Sequence, residues 1–388
     1  MKYWLLLITF ILPSTHIFAD TKDLSVIENY VEGGNYYRGT NGKNLDYYEA
    51  FKLYRIAADQ GYAKAQHNLA VMYENGQGVN KDYKQAVYWY RKAAEQGQVY
   101  AQYNLALMYE NGQGVRQDYE QTIYWYRKAA EQGHADAQNN LASMYKRGQG
   151  ASQDYKKAVY WFRKAAAQGA AEAQYNLAVM YYDGQDYKQA SGWFHKAAAQ
   201  GLAKAQNNLA LMYMNGQGVK QDYKLSGYWY RKAATQGLAK AQNNLATMYI
   251  NGQGVNQDNE QAAYWYHKAA VQGIAEAQHN FAVMYYDVLD YNLASDWFRK
   301  AANQGVANAQ TNLAVMYENG QGVKQDYKLS GYWYRKAADQ GHAYAQYRLA
   351  LAYEYGLGVN KNYKQAVIWY RKAADQGHTE AIKFLKAM

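Results

Sequence analysis

The chain of 388 residues contains no cysteine. Without thiols it forms no disulfide, so packing alone must stabilise its fold. It also has neither a thiolate zinc site nor a cysteine nucleophile. A lipoprotein anchor is excluded for the same reason, because lipid attachment at the N-terminus of an exported chain requires a cysteine.

Long apolar runs are also missing, with one short exception at the N-terminus. Residues 4–12 form an apolar run of nine, which Lys2 precedes and Pro13 ends. Nine residues are too few to span a bilayer as a helix, which needs about 20. The layout is typical of a secretory signal peptide over residues 1–19, cleaved after Ala19. An uncleaved anchor or a buried N-terminal helix stays open as the alternative; after cleavage we expect a periplasmic or secreted protein without a transmembrane segment.

Catalytic signatures are scarce in the sequence. The recurring NGQGV segment contains a lone Gly-x-Gly, but neither the third glycine of a dinucleotide loop nor a following Gly-Lys-Ser/Thr. No serine lies in a Gly-x-Ser-x-Gly motif, and the seven histidines after residue 19 lack metal-ligand spacing. We therefore predict that the protein is not an enzyme, that it carries no metal or cofactor, and that its histidines are solvated or contact a partner.

Internal repetition dominates the chain. A segment that opens on Ala-Gln returns at steps of 36 or 32 residues, with 32-residue units at 173–204 and 277–308. One 20-residue string occurs at both 215–234 and 319–338, which indicates duplication of a three-repeat block. Periods of this size are typical of solenoids. We predict an N-terminal cap and degenerate first repeat over 20–64, nine repeats over 65–380 and a C-terminal capping stub over 381–388.

Each unit has the spacing of two amphipathic helices. In the first, helix A, apolar residues recur at i, i+4, i+7 and i+8, which predicts a buried helical stripe. Small alanines let helices approach closely, while tryptophan, tyrosine and methionine fill the gaps between them. The predicted buried residues of the first full unit are Ala65, Leu69, Met72 and Tyr73 on helix A, and Ala86, Trp89, Tyr90 and Ala93 on helix B.

The ends of both helices carry recognisable signals. The glycines of NGQGV predict the end of helix A, since Asn-Gly readily adopts the left-handed conformation of a helix C-cap. Aspartates such as Asp82 predict the N-cap of helix B. Where Gln or Glu follows three residues later, as in Asp82–Gln85 and Asp46–Glu49, the pattern predicts a capping box.

The combined pattern, AQ-x-NLA-x-MY-x-NGQGV…DY…A…WY-x-KAA-x-QG, resembles the Sel1-like repeat family, relatives of the tetratricopeptide repeat, over residues 29–388. The resemblance implies an all-α fold, a right-handed α-solenoid of about ten helix-turn-helix repeats. It also implies a non-catalytic adaptor, because family members serve in bacterial envelopes, signalling and host-cell interaction. The sequence departs from the family at Ala70, where glycine is usual, and in the two 32-residue units.

Positions 3, 7 and 10 of helix A, counted from the opening alanine, lie opposite its buried stripe. They carry mainly aromatic, aliphatic and amide side chains, and position 4 is asparagine in eight successive units. In a tetratricopeptide-like stack helix A lines the concave side, so this face is predicted to form a groove for a peptide or another protein. Packing against the next helix A is the alternative, and the asparagines either bond between repeats or grasp a partner's backbone. The predicted partner-binding residues are Asn68, Tyr103, Asn104, Leu107, Asn140, Tyr175, Asn176, Val179, Tyr182, Asn208, Asn244, Asn280, Tyr286, Asn312 and Tyr347.

The outer face of helix B carries a recurring Arg-Lys pair beside a tyrosine, in a chain of net charge +10. Such a stripe suits nucleic acid through phosphate contacts and stacking, but predicted export argues against that partner. Anionic glycolipid and acidic proteins are alternative partners, and a solvated face whose aliphatic stems cover apolar surface is the simplest interpretation. The residues concerned are Arg91, Lys92, Arg127, Lys128, Arg231, Lys232, Arg335 and Lys336.

These patterns together predict an exported, non-catalytic scaffold that binds a protein or peptide along its concave surface, in envelope function or host-cell interaction. One alternative is a cell-wall-directed protein, penicillin-binding or β-lactamase-like, because some cysteine-rich exported members of the family are associated with those activities. The absence of cysteine and of a singular nucleophile counts against it. The other alternative is electrostatic binding of anionic surfaces through helix B.

Overall fold

The computed structural model describes residues 21–388, which form 21 helices and no strand. The predicted signal peptide, residues 1–19, lies outside the described residues. None of the helices between residues 21 and 388 is both long enough and apolar enough to span a membrane. The helices are α1 (Thr21–Arg38), α2 (Tyr47–Asp59), α3 (Ala63–Asn75), α4 (Tyr83–Glu95), α5 (Val99–Asn111), α6 (Tyr119–Glu131), α7 (Ala135–Arg147), α8 (Tyr155–Ala167), α9 (Ala171–Asp183), α10 (Tyr187–Ala199), α11 (Ala203–Asn215), α12 (Tyr223–Thr235), α13 (Ala239–Asn251), α14 (Asn259–Val271), α15 (Ala275–Asp287), α16 (Tyr291–Asn303), α17 (Ala307–Asn319), α18 (Tyr327–Asp339), α19 (Ala343–Tyr355), α20 (Tyr363–Asp375) and α21 (Thr379–Ala387).

The chain divides into two compact units, one up to Gln174 and one from Tyr175 onward. Within the first unit each helix from α1 to α8 packs chiefly against the helices before and after it in the chain. Within the second unit α10 to α21 do the same. A stack in which each element contacts mainly its sequence neighbours is a solenoid. The predicted all-α solenoid of helix-turn-helix repeats is confirmed.

The predicted core stripes are buried. From α3 to α20, odd-numbered helices are helix A of a repeat and even-numbered helices are helix B. On α3 the side chains of Leu69 and Met72 are fully buried, and on α4 those of Trp89 and Tyr90 are at most 2% exposed. The alanines at the remaining stripe positions are fully buried and bring the helices close together.

The helix caps follow the sequence with one correction. The Asp82 carboxylate accepts hydrogen bonds from the backbone N–H groups of Lys84 and Gln85, as an N-cap does. The prediction of a reciprocal capping box is wrong, because the Asp82 N–H donates to the carbonyl oxygen of Tyr73 at 2.9 Å. The Asp46 N–H is likewise taken by the carbonyl oxygen of Tyr36.

The two glycines of NGQGV have different roles. Gly76 ends α3 in the left-handed conformation at φ 72°. Gly78 also has a positive φ, and a Cβ atom on it would lie 2.1 Å from the carbonyl oxygen of Tyr47 in the preceding helix B. The second glycine therefore lets the loop touch the preceding repeat. In the two 32-residue repeats the turn between helix A and helix B is made by Gln185 and Leu289, whose φ angles are 62° and 65°.

A buried glutamine ladder, which sequence reasoning did not identify, joins successive repeats. Gln138 is 3% exposed, and its Nε2 donates to the carbonyl oxygen of Ala130 in the preceding helix B at 2.9 Å. Its Oε1 accepts a hydrogen bond from Nε2 of Gln168 at the end of its own repeat. The same arrangement recurs at Gln66, Gln102, Gln206, Gln242, Gln278, Gln310 and Gln346.

Candidate functional site

Each of the two compact units has a candidate site, the surface formed by positions 3, 4, 7 and 10 of its helix-A segments, called the helix-A face below. All fifteen predicted partner-binding residues are half-buried, five in the first unit and ten in the second. Their side chains therefore contact neighbouring repeats and solvent at the same time. The five of the first unit, from Asn68 to Asn140, lie on α3, α5 and α7, and those of the second unit, from Tyr175 to Tyr347, lie on the helix-A segments from α9 to α19.

Tyr103 is held in place by aromatic contacts with the next helices. Its ring stacks on the imidazole of His134 at a centroid distance of 4.6 Å and lies 5.8 Å from the ring of Tyr126. Tyr347 makes the equivalent stack on His378 at 4.4 Å. Burial raises the pKa of Tyr103 above its ordinary value. These contacts fix the tyrosine ring while leaving part of it open to solvent.

The sequence predicts that the histidines are solvated or contact a partner, whereas His134 is half-buried and contacts residues of its own chain. Its Nδ1 accepts a hydrogen bond from the N–H of Ala137 and so caps α7, and one face of its ring lies under Tyr103. Burial lowers the pKa of His134 accordingly. Between residues 21 and 388 no group of three or more His, Asp or Glu side chains has the arrangement of a metal site.

Asparagine at position 4 contacts the buried tyrosine of the preceding helix B. Asn140 Nδ2 donates to the hydroxyl oxygen of Tyr126 at 3.2 Å, and that hydroxyl donates to Glu110 Oε2 at 2.5 Å. This Glu–Tyr–Asn cluster spans two repeats and supports the interpretation of an inter-repeat hydrogen bond. Equivalent Tyr–Glu bonds join Tyr90 to Glu74, Tyr334 to Glu318 and Tyr370 to Glu354. The hydroxyls of Tyr54, Tyr90, Tyr230 and Tyr266 lie beside Asn68, Asn104, Asn244 and Asn280.

Three asparagines of the same run, Asn176, Asn208 and Asn312, follow a helix B that lacks that tyrosine. The residues equivalent to Tyr126 there are Phe162, Phe194 and Phe298, which have no hydroxyl. Within the described part of the chain, the Asn312 side chain has no hydrogen-bond partner, and Asn208 only accepts from Nδ2 of Asn207. The amide groups at these two positions are available to a partner's backbone.

The tyrosines at position 10 form hydrogen bonds with the loop of the following repeat. Tyr182 donates its hydroxyl proton to Gln217 Oε1 at 3.0 Å, and Tyr286 donates to Gln321 Oε1 at 3.2 Å. Each ring also meets a tyrosine of its own helix B edge-on, at about 5.2 Å between centroids. Their positions are therefore fixed by packing within the second unit, as those of Tyr103 and Tyr347 are fixed by the histidines.

The Arg-Lys pairs of helix B separate into two roles. The four predicted arginines donate to the position-9 tyrosine of the next repeat, as Arg91 Nη2 does to the hydroxyl of Tyr109 at 2.6 Å. The lysines instead lie over tyrosines that are about half exposed; Lys92 Nζ is 4.8 Å from the ring centroid of Tyr88. Among the described residues none of these four lysines pairs with a carboxylate. The arginines thus form hydrogen bonds between neighbouring repeats, whereas the lysines are the cations available to an anionic partner.

Removing the hydroxyl of Tyr126 should destabilise the protein, whereas removing that of Tyr230 should not. Tyr126→Phe leaves Glu110 without its hydrogen-bond donor, a loss of roughly 1.5–3 kcal/mol for a bond to a charged group. The Tyr230 hydroxyl is buried beside Asn244 but forms no hydrogen bond in the described part of the chain, so Tyr230→Phe should change stability by less than about 0.5 kcal/mol. Urea unfolding of both variants is the measurement, and equal losses would contradict the assignment.

Alkaline pH should unfold the solenoid through its buried tyrosines. Burial raises the pKa of Tyr54 from 10.0 to about 12, and it also raises the pKa of Tyr90, Tyr126 and Tyr334. A pKa raised in the folded state favours the neutral hydroxyl, so the stabilisation is complete below pH 10 and is lost as pH rises toward 12 and beyond. The urea midpoint should fall over that range, less steeply in Tyr54→Phe. A urea midpoint that stays constant up to pH 12 would contradict a role of the buried tyrosines in alkaline unfolding.

The fold defines a class of protein: an α-solenoid of helix-turn-helix repeats. The Sel1 repeat model matches ten segments of the chain, which therefore belongs to the Sel1 repeat family. Members of this family are typically non-catalytic scaffolds, and their repeats generally mediate protein–protein interaction. The matched segments are 33–62, 63–98, 99–134, 135–169, 171–202, 203–238, 239–274, 275–306, 307–342 and 343–378.

Two solved structures are similar over most of the chain. One is c5321, a protective antigen present in uropathogenic Escherichia coli strains that displays an SLR fold. It is 39% identical at a TM-score of 0.85, covering 93% of this chain and 79% of that one. The other is a Sel1 repeat protein from Oxalobacter formigenes, 31% identical at a TM-score of 0.50, covering 87% and 89% respectively. None of the curated proteins compared with the chain matches it.

Proposed function

We propose that the protein is an exported, non-catalytic scaffold whose helix-A face binds a peptide or another protein in the cell envelope or at a host cell. The observation that carries the proposal is the character of this face: half-buried aromatic, aliphatic and amide side chains, held by contacts within each unit. Partner surfaces are enriched in tyrosine and depleted of charge at their centre.

The fixed tyrosines favour binding because little conformational freedom is lost when a partner arrives. Ordering a mobile side chain at an interface costs about 0.5–1.5 kcal/mol. Tyr103 is already stacked on His134, and Tyr182 is already bonded to Gln217, so that cost is largely absent. Asn208 and Asn312 add amide groups that can pair with a partner's backbone.

Export is supported by the sequence of residues 1–19 and by the similarity to a protective antigen. A protective antigen meets the immune system of the host, so a relative at 39% identity favours an extracytoplasmic location for this chain. Detection of a mature N-terminus at Asp20 in the envelope or medium fraction tests this part of the proposal. An intact N-terminus confined to the cytoplasm would contradict it.

The binding proposal is tested with a variant of the helix-A face. Residues 20–388 are cross-linked to bacterial envelope extract and, separately, to host-cell lysate, and captured proteins are identified. The test variant combines Tyr103→Ala, Leu107→Ala, Tyr175→Ala and Val179→Ala, and circular dichroism verifies its helical content. The control combines Tyr88→Ala, Tyr124→Ala, Tyr228→Ala and Tyr264→Ala on the outer face of helix B.

We expect at least ten-fold weaker capture of the partner by the helix-A variant and unchanged capture by the helix-B control, at low and at high salt. Each lost aromatic anchor is worth roughly 1–2 kcal/mol or more at an interface, and ten-fold corresponds to about 1.4 kcal/mol. Equal capture by the folded helix-A variant would contradict the proposal.

Binding of an anionic partner through helix B is a second candidate, favoured by one observation. The lysines of this face have no carboxylate partner among the described residues and lie over half-exposed tyrosines. Surface charges are screened over about 8 Å at physiological salt. Binding through this face should therefore collapse between low and moderate salt and be lost in the helix-B control, whereas salt-independent capture would contradict it.

A further inference from the structure

A cavity in the second unit lies beside the second of two identical segments, where the following helix A carries alanine in place of methionine. The string NGQGVKQDYKLSGYWYRKAA occurs at 215–234 and again, unchanged, at 319–338. The helix A that follows the first copy carries Met248, whereas the helix A that follows the second carries Ala352 at the same position. The two sites share the helix B of this segment, but the following repeat also differs at other lining positions, such as Asn244 and Arg348 or Gln253 and Leu357.

In the first copy the methionine fills the space beside a glycine. Met248 is fully buried, and its Cε would lie 3.5 Å from a Cβ atom on Gly227. The hydroxyl of Ser226 donates a hydrogen bond to the sulfur of Met248 at 3.9 Å. The Ser-Gly pair of helix B is therefore covered by the next repeat.

In the second copy alanine leaves that space empty. A cavity of about 180 Å³ lies here, and an aromatic ring fits a space of this size, since an apolar cavity of about 150 Å³ in another protein accommodates benzene. Its walls include Ser330, Gly331, Leu351, Ala352 and Leu357.

The cavity also has a polar side. Ser330 is 3% exposed, and its hydroxyl has no hydrogen-bond partner within the described part of the chain. Arg348, which replaces the usual asparagine, is paired with Glu318, and Glu318 also accepts from the hydroxyl of Tyr334. The charges at the edge are thus compensated, so the cavity favours a neutral group with an apolar body and one hydrogen-bonding atom.

We propose that this cavity receives a tyrosine or tryptophan side chain of the partner. The ring takes the volume that Met248 takes in the first copy, and its hydroxyl or indole N–H pairs with Ser330. This inference rests on the proposed function, because the cavity adjoins Leu351 and Arg348 on the helix-A face. Buried aromatic anchors in pockets are the groups that contribute most at interfaces.

The cavity is tested with small probes that do not require the natural partner. Binding of 4-methylphenol to residues 20–388 is measured by ligand-observed NMR for the wild type, Ala352→Met and Met248→Ala. We expect at least ten-fold weaker binding to Ala352→Met and additional binding in Met248→Ala, where the same Ser-Gly pair loses its methionine. Methionine at this position is already accommodated beside the identical segment, so Ala352→Met should fold, which its melting temperature verifies. Absence of binding to the wild type, or equal affinity in Ala352→Met, would overturn the proposal.

The hydrogen-bonding part is tested by comparing 4-methylphenol with toluene. The phenol should bind the wild type several-fold more tightly than toluene, and Ser330→Ala should remove that difference. Equal affinities for the two probes in the wild type would refute the role of Ser330. Probe binding to the cavity combined with a failed helix-A-face capture would refute the proposed function alone, because the probe measurement is independent of the partner.

Discussion

Gly114→Ala should be among the most destabilising single substitutions in the first unit, by roughly 3 kcal/mol or more. A side chain at the positive φ of 69° costs about 1–2 kcal/mol in itself. The added Cβ would also lie 2.2 Å from the carbonyl oxygen of Tyr83, a backbone atom that cannot move without displacing α4. The loop of one repeat would thus separate from the preceding helix B.

Gly133→Ala is the matched control. Its φ of 92° is also positive, but a Cβ atom there meets nothing within 4 Å. We expect Gly133→Ala to lower the free energy of unfolding only by the cost of the positive φ angle, about 1–2 kcal/mol. The difference between the urea midpoints of the two variants isolates the contact with Tyr83. Equal midpoints would show that the second glycine is required for its dihedral angle alone.

Gln138→Leu should cost roughly 1–3 kcal/mol, because it removes two buried hydrogen bonds of about 0.5–1.5 kcal/mol each, the first of them to the carbonyl oxygen of Ala130, which keeps the backbone N–H of Gly133. The same substitution removes the acceptor of Gln168. Leucine has nearly the same size, so the loss reports the hydrogen bonds and not a cavity.

Gln153→Leu is its control, because Gln153 also donates to a backbone carbonyl, that of Lys146 at 2.9 Å, but at an exposed position. Water replaces that bond when it is lost, so the expected change is within about 0.5 kcal/mol. Thermal unfolding of both variants measures the difference. A Gln138→Leu protein as stable as Gln153→Leu would show that the glutamine ladder does not hold the repeats together.

The core and the helix ends could be predicted from the sequence because their signals are local. The spacing of Leu69 and Met72 defines a helical stripe, and Asp82 needs only the next turn of backbone to act as a cap. The capping box failed because the Asp82 N–H faces Tyr73, a residue on the previous helix whose position depends on the loop geometry.

The roles of polar side chains could not be predicted, because they depend on contacts between repeats. Gln138 and Arg91 look like ordinary surface residues in the sequence, yet each bonds to a neighbouring repeat. The recurrence of Ala-Gln at the start of successive repeats was the available sequence signal for the glutamine ladder. The cavity beside Ala352 was harder to anticipate, because it lies where alanine replaces a methionine, which only comparison with Met248 makes visible.

The central claim, that the helix-A face is the partner-binding surface, is tested most directly by site-specific photo-cross-linking. The photoreactive residue p-benzoylphenylalanine is placed at Leu107 on the helix-A face or at Tyr124 on the outer face of helix B, both in the first unit. After irradiation with the source that contains the partner, a covalent adduct is predicted at position 107 and none at position 124. An adduct at 124 without one at 107 would contradict the claim.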